Sequence, residues 1–339
     1  MTTAQVNYIN IGLMLASATV AICLPFELFL FSYVILGPLH YLTELSWLHK
    51  RQYFFPGKKD YLILAALCVI ILFPTFLRAL GGITGHTSLQ SGWLYMHARS
   101  VGRIMLFISF AVAAILIFIK DASSRVIAII IASLIGIALR ANLLITIFFT
   151  LFIPTLIHVF VFTGAFLLAG ALKGKSTSGI LAFIVFIGCS LSLFFIYLHP
   201  AHQPAGYIKG AYNTSFSALN KQLFNIFLHQ KAEAGEIYSS TAGILIMRFI
   251  AFAYTYHYLN WFSKTSVIKW HLISRRSMIA VIIIWLLAVA LYFTNFLVGA
   301  TTLYFLSMIH VIFEFPLNFK TLKDIGSTMG RVKNTLAQH

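Results

Sequence analysis

The chain has 339 residues, of which 60% are hydrophobic and 9% charged, and its mean hydropathy is +0.91. A soluble domain carries about 25% charged residues, so the soluble, disordered and disulfide-rich secreted classes are excluded. The 24 Lys and Arg against 8 Asp and Glu leave a net charge of +16, which in so apolar a chain labels membrane topology rather than a nucleic-acid surface.

The expected fold is all-α, a polytopic integral-membrane bundle of about ten helices with both termini inside. About 20 apolar residues of helix cross a hydrocarbon core of ~30 Å, and ten stretches have that character. Residues 7–24 come first; no Lys or Arg precedes Lys50, so the basic start of a cleaved signal peptide is missing and the segment reads as a retained helix. Residues 26–48 follow, with Glu27 near the outer end, where it can snorkel. Spans 60–80 and 100–120 flank a Gly-rich, aromatic outer loop at 81–99. Span 125–140 is short, and 142–172 is long enough that Pro154 is expected to kink it. After 179–199 comes a long outer loop, 200–241, in which Phe216, Leu219, Leu223, Phe224, Ile226 and Phe227 form one face of an amphipathic helix, to lie on the membrane or cap the bundle. Spans 242–263, 277–297 and 300–318 complete a single transmembrane domain, 1–318, and residues 319–339 form a basic cytoplasmic tail.

This topology puts eight basic residues outside or near outer helix ends: Arg78, Arg99, Arg103, Arg140, Lys209, Lys221, Lys231 and Arg248. The remaining 16 of the 24 fall inside, Lys58 and Lys269 among them. The bias supports ten helices with both termini inside, and the expected location is a bacterial inner membrane. Cys23, Cys68 and Cys189 lie in spans without metal spacing and read as packing residues.

Five acids lie in or beside loops; Glu27, Glu44 and Glu314 lie in spans. An ionisable side chain there costs about 3 kcal/mol or more near the bilayer centre, so each is a functional candidate. Glu44 follows His40 by four residues and Glu314 follows His310 by four, a spacing that puts both members of each pair on one helix face. His158 and His257 also lie within spans. All four histidines fall on helices expected to run from outside to inside. Counting at 1.5 Å per residue puts His40, His257 and His310 ~15, ~10 and ~15 Å from the inner charges, and His158 ~22 Å, less if its long helix projects. Four imidazoles and two carboxylates are therefore expected to meet in the cytoplasmic half of the bundle.

Imidazole with carboxylate and no thiolate suits non-haem iron, zinc or manganese, and open coordination positions permit oxygen or water activation. Either carboxylate can instead accept a ring N–H from a liganding histidine. Iron, zinc and manganese stay open at this point, as does haem. Nearby aromatic residues (Tyr33, Tyr41, Trp47, Phe160, Tyr254, Tyr258, Trp261 and Phe313) are expected to line a pocket for a long apolar substrate. His49 and His271 read as interfacial, His86, His97, His199, His202 and His229 as outer-side residues, and His339 is the terminus.

In order, the motifs PLHYLTE (His40, Glu44), LIHVFVF (His158), TYHYLNWF (His257) and MIHVIFEF (His310, Glu314) resemble those of the Brp/Blh family of membrane-embedded bacterial and archaeal β-carotene dioxygenases. The resemblance covers these four patches. It implies Fe(II)-dependent, oxygen-using cleavage of a carotenoid's central double bond to retinal-type aldehydes, with the histidines as iron ligands. The chain departs from that pattern in having Trp261 where the family's late helix has a second histidine, Glu in place of Asp in both acidic positions, and greater length. The expected partners are the bilayer, an apolar small molecule and O2, with no nucleic acid. Two other functions fit the residues: a haem-binding electron-transfer protein, and a transporter with an intramembrane His/Glu proton relay.

Overall fold

The structure is a computed structural model describing residues 2–57, 59–197, 203–233, 235–264 and 274–336, with side chains to Gly330. It is all-helical among these residues, and nine helices are long and apolar enough to cross a membrane. The named elements are α1 (Thr3–Cys23), α2 (Pro25–His49), α3 (Tyr61–Thr84), α4 (Trp93–Phe118), α5 (Ala122–Leu139), α6 (Leu143–Lys173), α7 (Thr177–Phe195), α8 (Gly206–Ser215), α9 (Ser217–Leu228), α10 (Thr241–Ser263), α11 (Arg275–Thr294) and α12 (Phe296–Leu336).

The eighth expected span, 242–263, forms as α10 but is not one of the nine. It is long enough, ~34 Å at 1.5 Å per residue, yet Arg248, His257, Asn260 and three tyrosines lower its apolarity. The reason is burial: nearly every residue from Gly243 to Trp261 is shielded by protein, so α10 is under no pressure to match lipid.

The fold divides into two compact units. The first comprises residues 1–40, 155–274 and 324–339, and the second 41–154 and 275–323. In the first, α10 packs against α1, α7, α9 and the start of α2. Polar side chains that would be costly in lipid are paired within this core. Asn10 accepts hydrogen bonds from Tyr256 (3.2 Å) and Ser263 (3.0 Å), and Ser32 bonds Thr255 at 2.7 Å. The fully buried Arg248 donates to the Ile22 and Ile196 carbonyls at 3.1 and 2.7 Å. These carbonyls belong to the ends of α1 and α7, where helices leave acceptors unsatisfied. The loop helix α9 docks Leu219, Leu223 and Phe224 into this unit as a cap, while Ile226 and Phe227 of the expected face stay exposed.

In the second unit α3 and α4 form a helical hairpin, with α5 against α4. Gly136 makes the latter contact close: a Cβ there would lie 2.9 Å from the Phe107 ring. At Gly299 a Cβ would overlap the Tyr292 backbone, so only glycine admits the tight turn between α11 and α12. The Arg125–Asp60 ion pair (3.7 Å) and the bond from Lys323 to the Ile117 carbonyl (3.3 Å) tie the helix ends around the α4–α5 connection. The expected tail does not begin a separate region at residue 319, because α12 runs unbroken through Pro316 to Leu336.

Two helices depart from α geometry near the candidate histidines. Residues Ser32–Leu36 of α2 form a wide π turn, closed by the Gly37 N–H on the Ser32 carbonyl, four residues before His40. Residues Phe148–Phe162 of α6 are likewise widened around Pro154 and include His158. Such widened turns shift the register of the side chains beyond them and recur at functional sites.

Candidate functional site

Each of the six intramembrane candidates is buried, the most accessible being His257 at 5% exposure. They fall into one cluster in each unit.

In the first unit His257, on α10, is the centre of a row of three imidazoles. Its ring meets His40 of α2 edge-on at 4.7 Å between centroids and His158 of α6 at 4.9 Å. A ring nitrogen of His40 and one of His257 lie within 4.8 Å of each other, near the ~3–4 Å that separates two nitrogens bound to one ion at ~2.1 Å each. The Thr163 hydroxyl lies 2.8 Å from His257 Nδ1. If Nδ1–H donates to that oxygen, Nε2 keeps the lone pair a metal needs. Tyr258 and Trp261 face His40 at 5.1 and 5.7 Å.

In the second unit His310 lies between two carboxylates. Its Nε2 is 3.3 Å from Glu314, and its Nδ1 is 3.9 Å from Glu44, beyond a direct hydrogen bond. Tyr41 stacks on the His310 ring at 5.1 Å. The second H-x-x-x-E therefore closes as the direct pair its spacing suggests. In the first, Glu44 reaches toward His310 and His40 meets His257. Because His40 and Glu44 are one turn apart on α2, that helix carries a member of each cluster.

Of the eight aromatic residues expected to line a pocket, Tyr258, Trp261 and Tyr41 lie against the clusters. Tyr33 and Tyr254 join Phe29 and Phe216 in an aromatic stack, with centroids 4.8 to 6.1 Å apart, and Tyr254 connects it to Tyr258 at 6.2 Å. Phe160 packs on Phe186 and Phe249, Phe313 on Tyr53, and Trp47 lies under the Arg51 guanidinium.

Among the remaining candidates, Glu27 occupies the first turn of α2 after the break at Leu24, where the helix dipole favours a carboxylate. His49 bonds Tyr53, His97 bonds the Trp93 carbonyl, and His229 ends α9 in a left-handed conformation. His199, His202, His271 and His339, with Lys58 and Lys269, lie outside the described residues. Cys68 and Cys189 are buried, as packing residues should be, and Cys23 is exposed.

Two site residues lie outside the sequence expectations. Thr163 orients His257, but a threonine in an apolar run looks like any other. Asn318 continues the His310, Glu314 stripe by one more turn of α12 and is 1% exposed; the i, i+4, i+8 spacing would have disclosed it.

The two clusters consist of buried imidazoles and carboxylates, the donor set that binds a metal ion. They fit haem less well. Axial histidines sit on opposite faces of a porphyrin, whereas the rings of the first cluster touch one another directly. No family model matches the chain, and no curated protein or solved structure matches it.

Proposed function

We propose that this membrane protein is a non-haem metal oxygenase acting on a carotenoid-like or other lipid substrate, with a metal held by the buried imidazole cluster of the first unit. The observation that carries this reading is the row of three imidazoles, His40–His257–His158, buried beside aromatic side chains. The four-motif resemblance to the β-carotene dioxygenases points the same way, and favours Fe(II) among the metals. Iron bound there would supply oxygen activation at its open positions.

The protein's own contribution would be positional. Thr163 holds the His257 ring, Glu44 and Glu314 set the protonation and orientation of His310, and Tyr258 and Trp261 present apolar faces that exclude water from His40. A substrate dissolved in the bilayer would not have to cross water to reach such a site.

Co-expression in a host that makes β-carotene is the test, with metal analysis of the purified protein. Loss of colour, appearance of retinal-type aldehyde and bound iron are the expected result. Persistent carotene with iron bound would reject the substrate, and protein without bound metal would reject the site.

One observation favours a second reading. An imidazole flanked by two carboxylates, as His310 is, has the arrangement of an intramembrane proton relay. Proton-coupled uptake into vesicles by metal-free protein, abolished in His310→Gln, would support a transporter instead.

A further inference from the structure

We propose that a groove in the second unit, between α4, α5 and the start of α6, binds the phosphate of an anionic phospholipid through Arg103 and Arg140. The groove is lined by both arginines with Ser100, Thr146, Phe107 and Phe149. It is separate from the histidine and carboxylate clusters and does not depend on the function assigned to them.

The charges are the first reason. Arg103 and Arg140 belong to the minority of basic residues that the topology places away from the cytoplasm, against the usual bias. The second unit contains four carboxylates: Glu44, Asp60, Asp121 and Glu314. Glu44 and Glu314 belong to the His310 cluster, Asp60 pairs with Arg125, and Asp121 caps α5. Among the described residues neither groove arginine has an acidic partner. Two guanidinium groups with two hydroxyls make a donor set suited to phosphate, which arginine grips through paired N–H groups.

Depth and surroundings select the source of that phosphate. Arg103 lies 15 residues before the end of α4, and Arg140 directly follows α5. At 1.5 Å per residue both are ~23–27 Å from the α4–α5 connection, close to the ~30 Å hydrocarbon thickness and hence at headgroup level. The neighbouring surface of α5 exposes Ile130, Ile131, Leu134 and Ile137, a face suited only to lipid. Phe107 and Phe149 extend the groove from the arginines with apolar surface that an acyl chain can cover. A phospholipid satisfies both parts of the groove; free phosphate satisfies one.

The full-length protein, delipidated in detergent, would be titrated with phosphatidylglycerol or phosphatidylcholine and the retained lipid read by native mass spectrometry. Wild type is expected to retain phosphatidylglycerol preferentially. At about 1 kcal/mol per basic side chain, Arg103→Gln or Arg140→Gln should each lower that preference about fivefold, and the double variant about thirtyfold. Metal content should not change, which separates this result from the fate of the metal site. Equal retention of the two lipids by wild type, or undiminished preference in a double variant of native helicity, would overturn the proposal. Displacement of the lipid by inorganic phosphate at equal concentration would overturn the lipid assignment in favour of the free anion. Should the double variant lose helicity, Phe149→Ala serves instead: weaker retention supports the proposal and wild-type retention overturns it.

Discussion

At the scale of single residues, the candidate site turns on His257 and on what holds it. Its ring touches two other imidazoles, and its Nδ1 lies within hydrogen-bond distance of Thr163. Groups that orient a metal-binding histidine typically contribute 10- to 100-fold in affinity. Thr163→Val should therefore weaken retention of a metal bound at His257 by about that factor, and Thr163→Ser should restore it, as measured by metal content after dialysis at graded metal concentrations. Arg248 ties two helix ends together. Replacing it with Met takes the donor from two half-buried helix-end carbonyls, and about 2–4 kcal/mol of stability should be lost. Denaturation in detergent would register this as a lowered midpoint. The need for a donor there was hidden in the sequence, where Arg248 looks like one more basic residue near an outer helix end.

The helices themselves were the most legible level. A span needs only length and apolar content, both local properties, and each of the ten expected spans has a corresponding helix. What escaped local reasoning was non-local. The widened turns in α2 and α6 and the continuation of α12 past residue 319 depend on neighbours that no window of sequence contains. One helix end nonetheless makes a prediction of its own. The Ser124 N–H donates to the Asp121 carboxylate at 2.7 Å, holding its pKa below the usual carboxylate range. A lowered pKa contributes stability above the unfolded value of ~3.9 and loses it as pH falls through the folded value. Amide exchange in the first turn of α5 should accelerate as pH falls below ~4, after correction for the intrinsic rate. Asp121→Asn should keep the cap and abolish that pH dependence.

For the molecule as a whole, a ligand that binds only the folded chain stabilises it by mass action, by about 2.7 kcal/mol at a hundredfold excess over Kd. A chelator should therefore lower the Tm of the metal-loaded protein and leave that of His257→Ala unchanged, as read by thermal unfolding in detergent. The sequence by itself determined that the chain is a membrane bundle, which side chains are too costly to be incidental, and that two histidine–carboxylate pairs share helix faces. These conclusions follow from composition and the 3.6-residue period, which act within one helix. Only the tertiary structure decided that His40 meets His257, that Glu44 reaches toward His310, and which rings each of the expected pocket aromatics packs on. A helix period determines a side chain's direction but not what lies across from it. That second quantity is set by how each unit packs its helices around its own buried polar groups.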